Sequence, residues 1–289
     1  MYWRAISAPS ASLNFLWLST STVFLIEMGI LFAIISYNTI ISKRTPEIMA
    51  ERDYTKYCEE FNKNWKDDLK SEYGRKILHL FTSAIIFVFW ILGIVLNDIG
   101  ILEDLGLDTY SFSYWLIITI GFGFVIMFQF ADLVRLNKFY MIPNWARRWY
   151  CDMKQNELDT FVASTPLVLS FVPFIFVPFP IFGAVALITT GADAVACLIG
   201  KRFGTHRLRK GSNKTIEGFI AGGLTTFLIV IFILTIFYVW MPISVAKIFL
   251  MAITATFLFL LIDIYAKNIS DNILNPILTG LGMWLILIL

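Results

Sequence analysis

Long apolar runs separated by short, mostly basic segments set the pattern of this chain. The apolar positions do not return every third and fourth residue, as on a water-facing helix. They continue for about 20 positions, enough to cross a bilayer core as α-helix. Eight runs of this kind predict an all-α, polytopic transmembrane helical bundle of about eight spans. Four lie roughly at Phe15 to Ile41, Ile77 to Leu96, Ser113 to Ala131 and Thr160 to Pro178. The others are Ile181 to Ile199, Thr215 to Trp240, Val245 to Ala266 and Ile273 to Leu289. The fourth contains Pro166, Pro173 and Pro178, with Pro180 just beyond, and is expected to be kinked or partly re-entrant.

Between the first two runs the pattern changes. Tyr54, Tyr57, Phe61, Trp65 and Leu69 recur at three- and four-residue steps among acids and bases in near balance. That is one stripe of an amphipathic helix, expected to lie along the membrane surface or over the catalytic loops. The chain therefore divides into residues 1–73, a span plus connector, and residues 74–289, which hold the remaining spans.

Composition agrees with the pattern: 58% of residues are hydrophobic, 15% are charged, and mean hydropathy is +0.73. The first run lacks the small-residue cleavage pattern of a signal peptide and reads as a span. Cys58, Cys151 and Cys197 are too scattered for a metal or disulfide framework and read as free thiols. The net charge of +2 says little, but its distribution is informative. With the N-terminus outside, 21 of the 23 Lys and Arg fall in segments facing the cytoplasm. The segment from Asn97 to Phe112 carries four acids and no base, as an outer loop should.

That orientation places one stretch, Thr189 to Gly223, at the cytoplasmic boundary. Asp193 stands inside an apolar segment, where an ionised carboxylate costs roughly 3 kcal/mol by insertion scales; the alternative is an interhelical hydrogen-bond partner. A loop follows with Lys201, Arg202, Arg207, Arg209, Lys210, Lys214 and His206, and Glu217 lies in the first turn of the next segment. Carboxylates, cations and helix-start N–H groups are what a metal-bound polyphosphate needs. Gly191, Gly218, Gly222 and Gly223 read as helix-packing glycines. Gly200, Gly204 and Gly211 read as places where backbone approaches phosphate. The loop is not a Walker A motif, because Lys214-Thr215 follows Asn213 and no strand precedes it.

Three further groups lie at the same boundary. Arg75, Lys76 and His79 share neighbouring helix faces. A basic interfacial anchor accounts for the first two but not for a histidine one turn into the membrane. Glu157 and Asp159 precede the fourth run, where acids also complement a helix dipole; Glu157 is the preferred candidate, ahead of Asp159 and of Asp132, which pairs with Arg135. Late in the chain come Asp263 and then Asp271-Asn272, with Asn275-Pro276 predicting a helix break.

Taken together, Arg75-Lys76…His79, Gly191-Ala-Asp193-Ala…Gly200-Lys201…Gly204, Lys214-Thr-Ile-Glu217-Gly218 and Ser270-Asp271-Asn272…Pro276 resemble the polyprenol kinase family. That family includes dolichol kinases, phytol kinases and CTP-dependent diacylglycerol kinases, and is related to the phosphatidate cytidylyltransferases. The likeness runs from Gly74 to the C-terminus. It departs from the family pattern at Ala192, where a Gly-Asp pair is frequent, and at Thr215, where serine is frequent.

The resemblance implies an integral-membrane enzyme whose active site faces the cytoplasm. It would transfer a phosphoryl group from CTP, with Mg²⁺, to a lipid alcohol: dolichol or another polyprenol first, otherwise diacylglycerol or phytol. Asp193, His79 and Glu217 would be catalytic, and Asp193, Glu217 and Glu157 would hold the metal. Lys201, Arg202, Gly204, Lys214, Thr215, Arg75 and Lys76 would bind phosphate, with Asp271 and Asn272 completing the nucleotide pocket.

Three other readings fit less well. Cytidylyl transfer to phosphatidate would bring a Lys-Asp pair, a His-Gly-Gly and an Asp-Arg-x-Asp near the C-terminus, and after Gly223 there is neither histidine nor arginine. A secondary transporter would spread its acids along a path and show an inverted repeat. Here the acids cluster at one boundary. Nucleic-acid binding is disfavoured, because the basic loop is short and lies against the membrane.

Overall fold

The computed structural model describes residues 10–64, 69–147, 150, 153, 155–209, 214–266 and 270–289. These residues are mostly helical, joined by turns and short loops, with one isolated antiparallel bridge between Arg207 and Thr215. Among the described residues, seven helices are long and apolar enough to cross a membrane. The chain is a polytopic, all-α membrane protein. Its helices are α1 (Ser10–Arg44), α2 (Pro46–Glu51), α3 (Tyr54–Asn64), α4 (Leu69–Asp98), α5 (Ile101–Asp104), α6 (Thr109–Asn137) and α7 (Asn144–Arg147). There follow α8 (Ser164–Ser170), α9 (Phe179–Leu187), α10 (Asp193–Phe203), α11 (Ile216–Ile236), α12 (Val245–Tyr265) and α13 (Asp271–Ile288). Two compact units share them: Met1–Asp67 with Phe89–Thr165, and Asp68–Val88 with Pro166–Leu289.

In the first unit α1 packs on α6. Trp115 donates its indole N–H to the Thr20 hydroxyl at 2.7 Å, and the Glu27 carboxylate occupies the place where Gly123 has no side chain. The polar ends are tied by two arginines. Arg52 donates to Asn38, Ser42 and the Tyr140 carbonyl at 3.0 to 3.1 Å. Arg135 pairs with Asp132 at 3.0 Å and donates to Tyr54 and to the Leu158 carbonyl. The expected aromatic stripe is partly present: Phe61 is buried in a cluster with Phe139, Tyr150 and Leu158, and Tyr54 and Tyr57 pack against it. Trp65 lies outside the described residues, and Leu69 begins the next helix. Gly106, at φ +66°, closes α5 by sending its own N–H to Glu103 O and that of Leu107 to Leu102 O. A left-handed residue is needed there, and glycine adopts it without a Cβ penalty.

In the second unit α9 is buried on every face, from Phe179 to Ala186. A helix apolar all round belongs inside a bundle. The other helices pack in sequence: α10 on α11, α11 on α12, α12 on α13. The fourth apolar run is not a full helix. It forms the seven-residue α8 and a 3₁₀ turn, Val172–Phe176. Pro173 and Pro178 remove the donors a longer helix would need. Leu167, Ser170, Phe171, Phe174 and Val177 of this stretch are buried, while Leu169 and Phe176 are exposed. Ser170 bonds to Asn272 O, and the Phe174 ring fills the space left by Gly280, so the segment accompanies α13 over eight residues, about 12 Å.

The helices are interrupted ahead of the proline, α12 ending at Tyr265 and α13 beginning at Asp271, while Pro276 itself lies inside α13. A proline there cannot donate to the carbonyl four residues earlier, that of Asn272. The Ser170 hydroxyl reaches that oxygen at 3.1 Å, sharing its proton with Leu167 O at 2.6 Å.

Candidate functional site

The charged cluster lies within the second unit and begins on α4. Glu72, Arg75, Lys76, His79 and Ser83 follow each other at helical spacing along one face. Lys76, His79 and Ser83 are buried. Facing them, the central helix changes pitch: Ile188–Ala192 form a π-turn between α9 and α10. The Ser83 and Thr190 hydroxyls lie 2.7 Å apart, and each reaches the Ala186 carbonyl at 2.9 Å. The wide turn shifts the phase of everything after it. Asp193, the first residue of α10, thereby meets the Lys76 ammonium in a buried ion pair.

A second set of charges adjoins it. Glu72 accepts from Arg75 at 2.5 Å, lies 3.6 Å from the Lys201 ammonium and receives the Cys197 thiol at 3.7 Å. Asp193 also interacts electrostatically with His79 and Arg75. Asp263 of α12 pairs with Lys214 at 2.5 Å and interacts with Asp193 and Asp271. The structure thus gathers Arg75, Lys76, His79, Asp193, Lys201, Lys214 and Asp271 of the sequence candidates. Cys58 and Cys197 are free thiols; Cys151 lies outside the described residues.

Other candidates hold the frame. Glu217 binds the segment before it, accepting from the Thr205 hydroxyl at 2.8 Å, His206 Nδ1 at 2.8 Å and the Thr205 and His206 backbone N–H groups at 3.2 Å. The carboxylate expected to be catalytic and to hold the metal is here engaged by the segment that precedes α11. Thr215 caps α11 by accepting from Gly218 N, and Leu208 N to Lys214 O closes the loop as a small hairpin. Lys210 and Gly211 of that loop lie outside the described residues, as do Lys267 and Asn268. Arg202 stacks its guanidinium over Phe203. Asn272 is buried and gives its carbonyl to Ser170.

The expectation for Gly200 and Gly204 as phosphate-approach points meets a different geometry. The space beside both is filled by Thr215. A Cβ on Gly218 would stand 2.5 Å from Ala196 O and 3.0 Å from Gly200 Cα, and one on Gly222 would stand 2.8 Å from Ala196 Cβ. Small residues at four-residue steps on both helices let α10 and α11 cross backbone to backbone.

Glu157 and Asp132 belong to the first unit. Asp132 accepts from Arg135 and Val162 N, and Glu157 accepts from Ala163 N at 3.3 Å, so both secure the turn from 157 to 163. Nothing nearby is a metal cage: among the described residues no three of His, Cys, Asp and Glu come together as metal ligands.

Sequence reasoning passed over three residues. Glu72 was counted among the connector charges, although an acid three residues before Arg75 on one helix was the available signal. Ser83 and Thr190 carried no signal, since hydroxyls within apolar runs are ordinary.

Beside the ion pair a groove of about 300 Å³ opens on the side of the unit. Tyr73, Lys76 and Leu80 of α4, Gly191 and Val195 of the central helix and Ile229 of α11 line it, and the lining is mostly apolar. No protein-family model, no curated protein and no solved structure matches this chain.

Proposed function

We propose that the second unit is a membrane-embedded phosphotransferase acting on a lipid alcohol. One observation carries this reading: Lys76, which lines an apolar groove, is paired with Asp193, while Arg75 and Lys201 are paired with Glu72 and Lys214 with Asp263 in the same unit. A lipid can enter such a groove without leaving the bilayer, its hydroxyl arriving at the pair. The motif resemblance points to CTP as donor and to the cytoplasmic side.

In this mechanism Asp193 accepts the proton of the hydroxyl, and Lys76 keeps the carboxylate ionised and aimed. The lipid oxygen bonds to the γ-phosphorus as the bond from that phosphorus to the β,γ-bridging oxygen breaks. The proton stays on Asp193, and the nucleoside diphosphate leaves with the bridging electrons. Lys201, Lys214 and Arg75 offset the charge of the triphosphate, and Arg202 adds to the field at the mouth. Magnesium bound with the nucleotide would screen its phosphates, and Asp193 would help to hold it. His79 supports the charge of Asp193 from the same α4 face as Lys76.

The test is label transfer in detergent-solubilised membranes from γ- or α-labelled CTP. Dolichol, phytol and diacylglycerol serve as acceptors, phosphatidate is assayed separately, and Asp193→Asn is the control. Lipid labelled from the γ position, at least a hundredfold less in the variant, supports the reading. Label from the α position on phosphatidate makes the protein a cytidylyltransferase. No transfer from either favours transport and overturns the proposal.

A further inference from the structure

Arg52, in the first unit, carries a charge that its neighbours do not answer. It is 8% exposed and donates to Asn38 Oδ1, Ser42 Oγ and the Tyr140 carbonyl. All three acceptors are neutral, and all three bonds leave from Nη1. The Nε–H is buried and has no acceptor. In a planar guanidinium the Nε–H and one N–H of Nη2 point the same way, a fork that fits two oxygens of one oxyanion. A buried cation without a counter-charge is costly, so such an edge calls for an anion. Glu51 is the carboxylate that acts on Arg52, from an exposed position and more weakly than the like charge of Arg147.

Arg147 strengthens the case. Its guanidinium stacks over the Phe139 ring, 5.2 Å from the centroid, and Phe139 adjoins Tyr140, whose carbonyl holds Arg52. Two guanidiniums thus converge on the turn Phe139–Met141. Lys43 and Arg44, exposed in the last turn of α1, add to the same field. The C-terminal dipole of α1, about half a negative charge, offsets part of one cation and leaves the rest.

The position says which anion is at hand. Asn38 and Ser42 lie in the last two turns of one span, Phe15–Arg44, and Tyr140 lies just past another, Thr109–Asn137. Tyr37 on α1 and Trp145 on α7 are largely exposed, and such aromatics favour the level of the head groups. Phospholipid phosphates lie at that level.

We infer that Arg52 and Arg147 form a binding site for the phosphate of a membrane phospholipid, which docks against the ends of α1 and α6. Arg52 donates to two phosphate oxygens through Nε and Nη2, and Arg147 adds its charge. The site is separate from the charged cluster of the second unit and does not depend on the phosphotransferase reading. Free phosphate offers the same oxygens, so the test separates the two sources.

The purified full-length protein in detergent is incubated with ³²P-labelled dioleoylphosphatidylglycerol, and retained label is counted beside a melting temperature. Arg52→Gln removes the fork. Arg147→Gln removes the second cation and leaves the three Nη1 bonds of Arg52 in place, so it remains informative if Arg52→Gln does not fold. Ser42→Ala takes away one of those structural bonds without touching the fork, and Lys63→Gln removes an exposed cation on α3.

Retention is expected to fall at least about tenfold in Arg52→Gln and Arg147→Gln, the loss of one charge-assisted hydrogen bond or more. It should be unchanged in Lys63→Gln and in Ser42→Ala, although Ser42→Ala melts at a lower temperature. Neither dioleoylglycerol, with the same chains and no phosphate, nor inorganic phosphate in excess should displace the label. Full retention in folded Arg147→Gln overturns the site, as does an equal fall in Ser42→Ala or Lys63→Gln. Displacement by dioleoylglycerol removes the phosphate from the inference, and displacement by inorganic phosphate alone overturns the assignment to lipid.

Discussion

Lys76 and Asp193, 117 positions apart in the chain, form an ion pair with side chains only 5% and 15% exposed. At that burial the two charges depend on each other. Removing one partner leaves the other uncompensated, a loss of about 3–5 kcal/mol in comparable pairs. Lys76→Met and Asp193→Asn should each lower the melting temperature in detergent, whereas Lys76→Met with Asp193→Leu should recover most of the loss. All three should abolish phosphoryl transfer, so stability and activity separate in the double variant. A double variant no more stable than the singles would refute the coupling.

The hydroxyls at the wide turn make a second coupled pair. Ser83→Ala or Thr190→Val removes one of the two groups on the Ala186 carbonyl, at a cost of about 1 kcal/mol each. The combination leaves the carbonyl without either hydroxyl and should cost more than the sum. Denaturant unfolding followed by tryptophan fluorescence measures the excess.

Ser170 and Pro276 can be tested as donor and cause. Ser170→Ala takes the hydroxyl from the Asn272 carbonyl and should destabilise by about 1 kcal/mol. Pro276→Ala restores a helical N–H to that oxygen, so the same Ser170→Ala change should have little effect in the Pro276→Ala background. Melting temperatures of the four proteins decide it.

The α10–α11 crossing should tolerate no side chain. Gly218→Leu and Gly222→Leu would push apart backbones that approach at Ala196 and Gly200, and are expected to give aggregated or unfolded protein on size exclusion. Gly29→Leu, in open space on α1, should elute as the parent does.

The first unit carries a pH signature. Burial, opposed by the Arg135 guanidinium, pushes the Tyr54 phenol up to about 12. Its neutral form is the one the fold favours, against an unfolded value of about 10. This contribution is therefore complete below pH 10 and is lost as pH rises from 10 to 12. Tyr54→Phe should show a shallower fall in stability across that window; an identical slope would show that the phenol does not titrate with unfolding.

Much of the architecture could be read from the chain because the bilayer imposes length. Runs of about 20 apolar residues predict spans without help from packing, and six of the eight predicted runs overlap single long helices, with Ile181 to Ile199 falling on α9 through α10. The fourth run was ambiguous for a physical reason: its hydropathy suits a span while its prolines withhold the donors that a span requires. The site was legible where charge is costly. Asp193 in an apolar run and His79 one turn past Lys76 stood out on sequence, and the fold brings them to one place. The role of glycine was not legible, since Gly200 and Gly218 have the same sequence character whether a phosphate or another helix lies against them. Long-range partners such as Lys214 and Asp263 needed the fold.

The π-turn at Ile188–Ala192 has a consequence for how this protein can vary. Residues before it answer only to steric fit within the bundle, while residues after it also have to keep a carboxylate in register with α4. A length change of one residue on either side of the turn would leave hydropathy untouched and yet rotate Asp193 away from Lys76 by about 100°. Two chains with indistinguishable hydropathy profiles could therefore differ in whether they have a site at all.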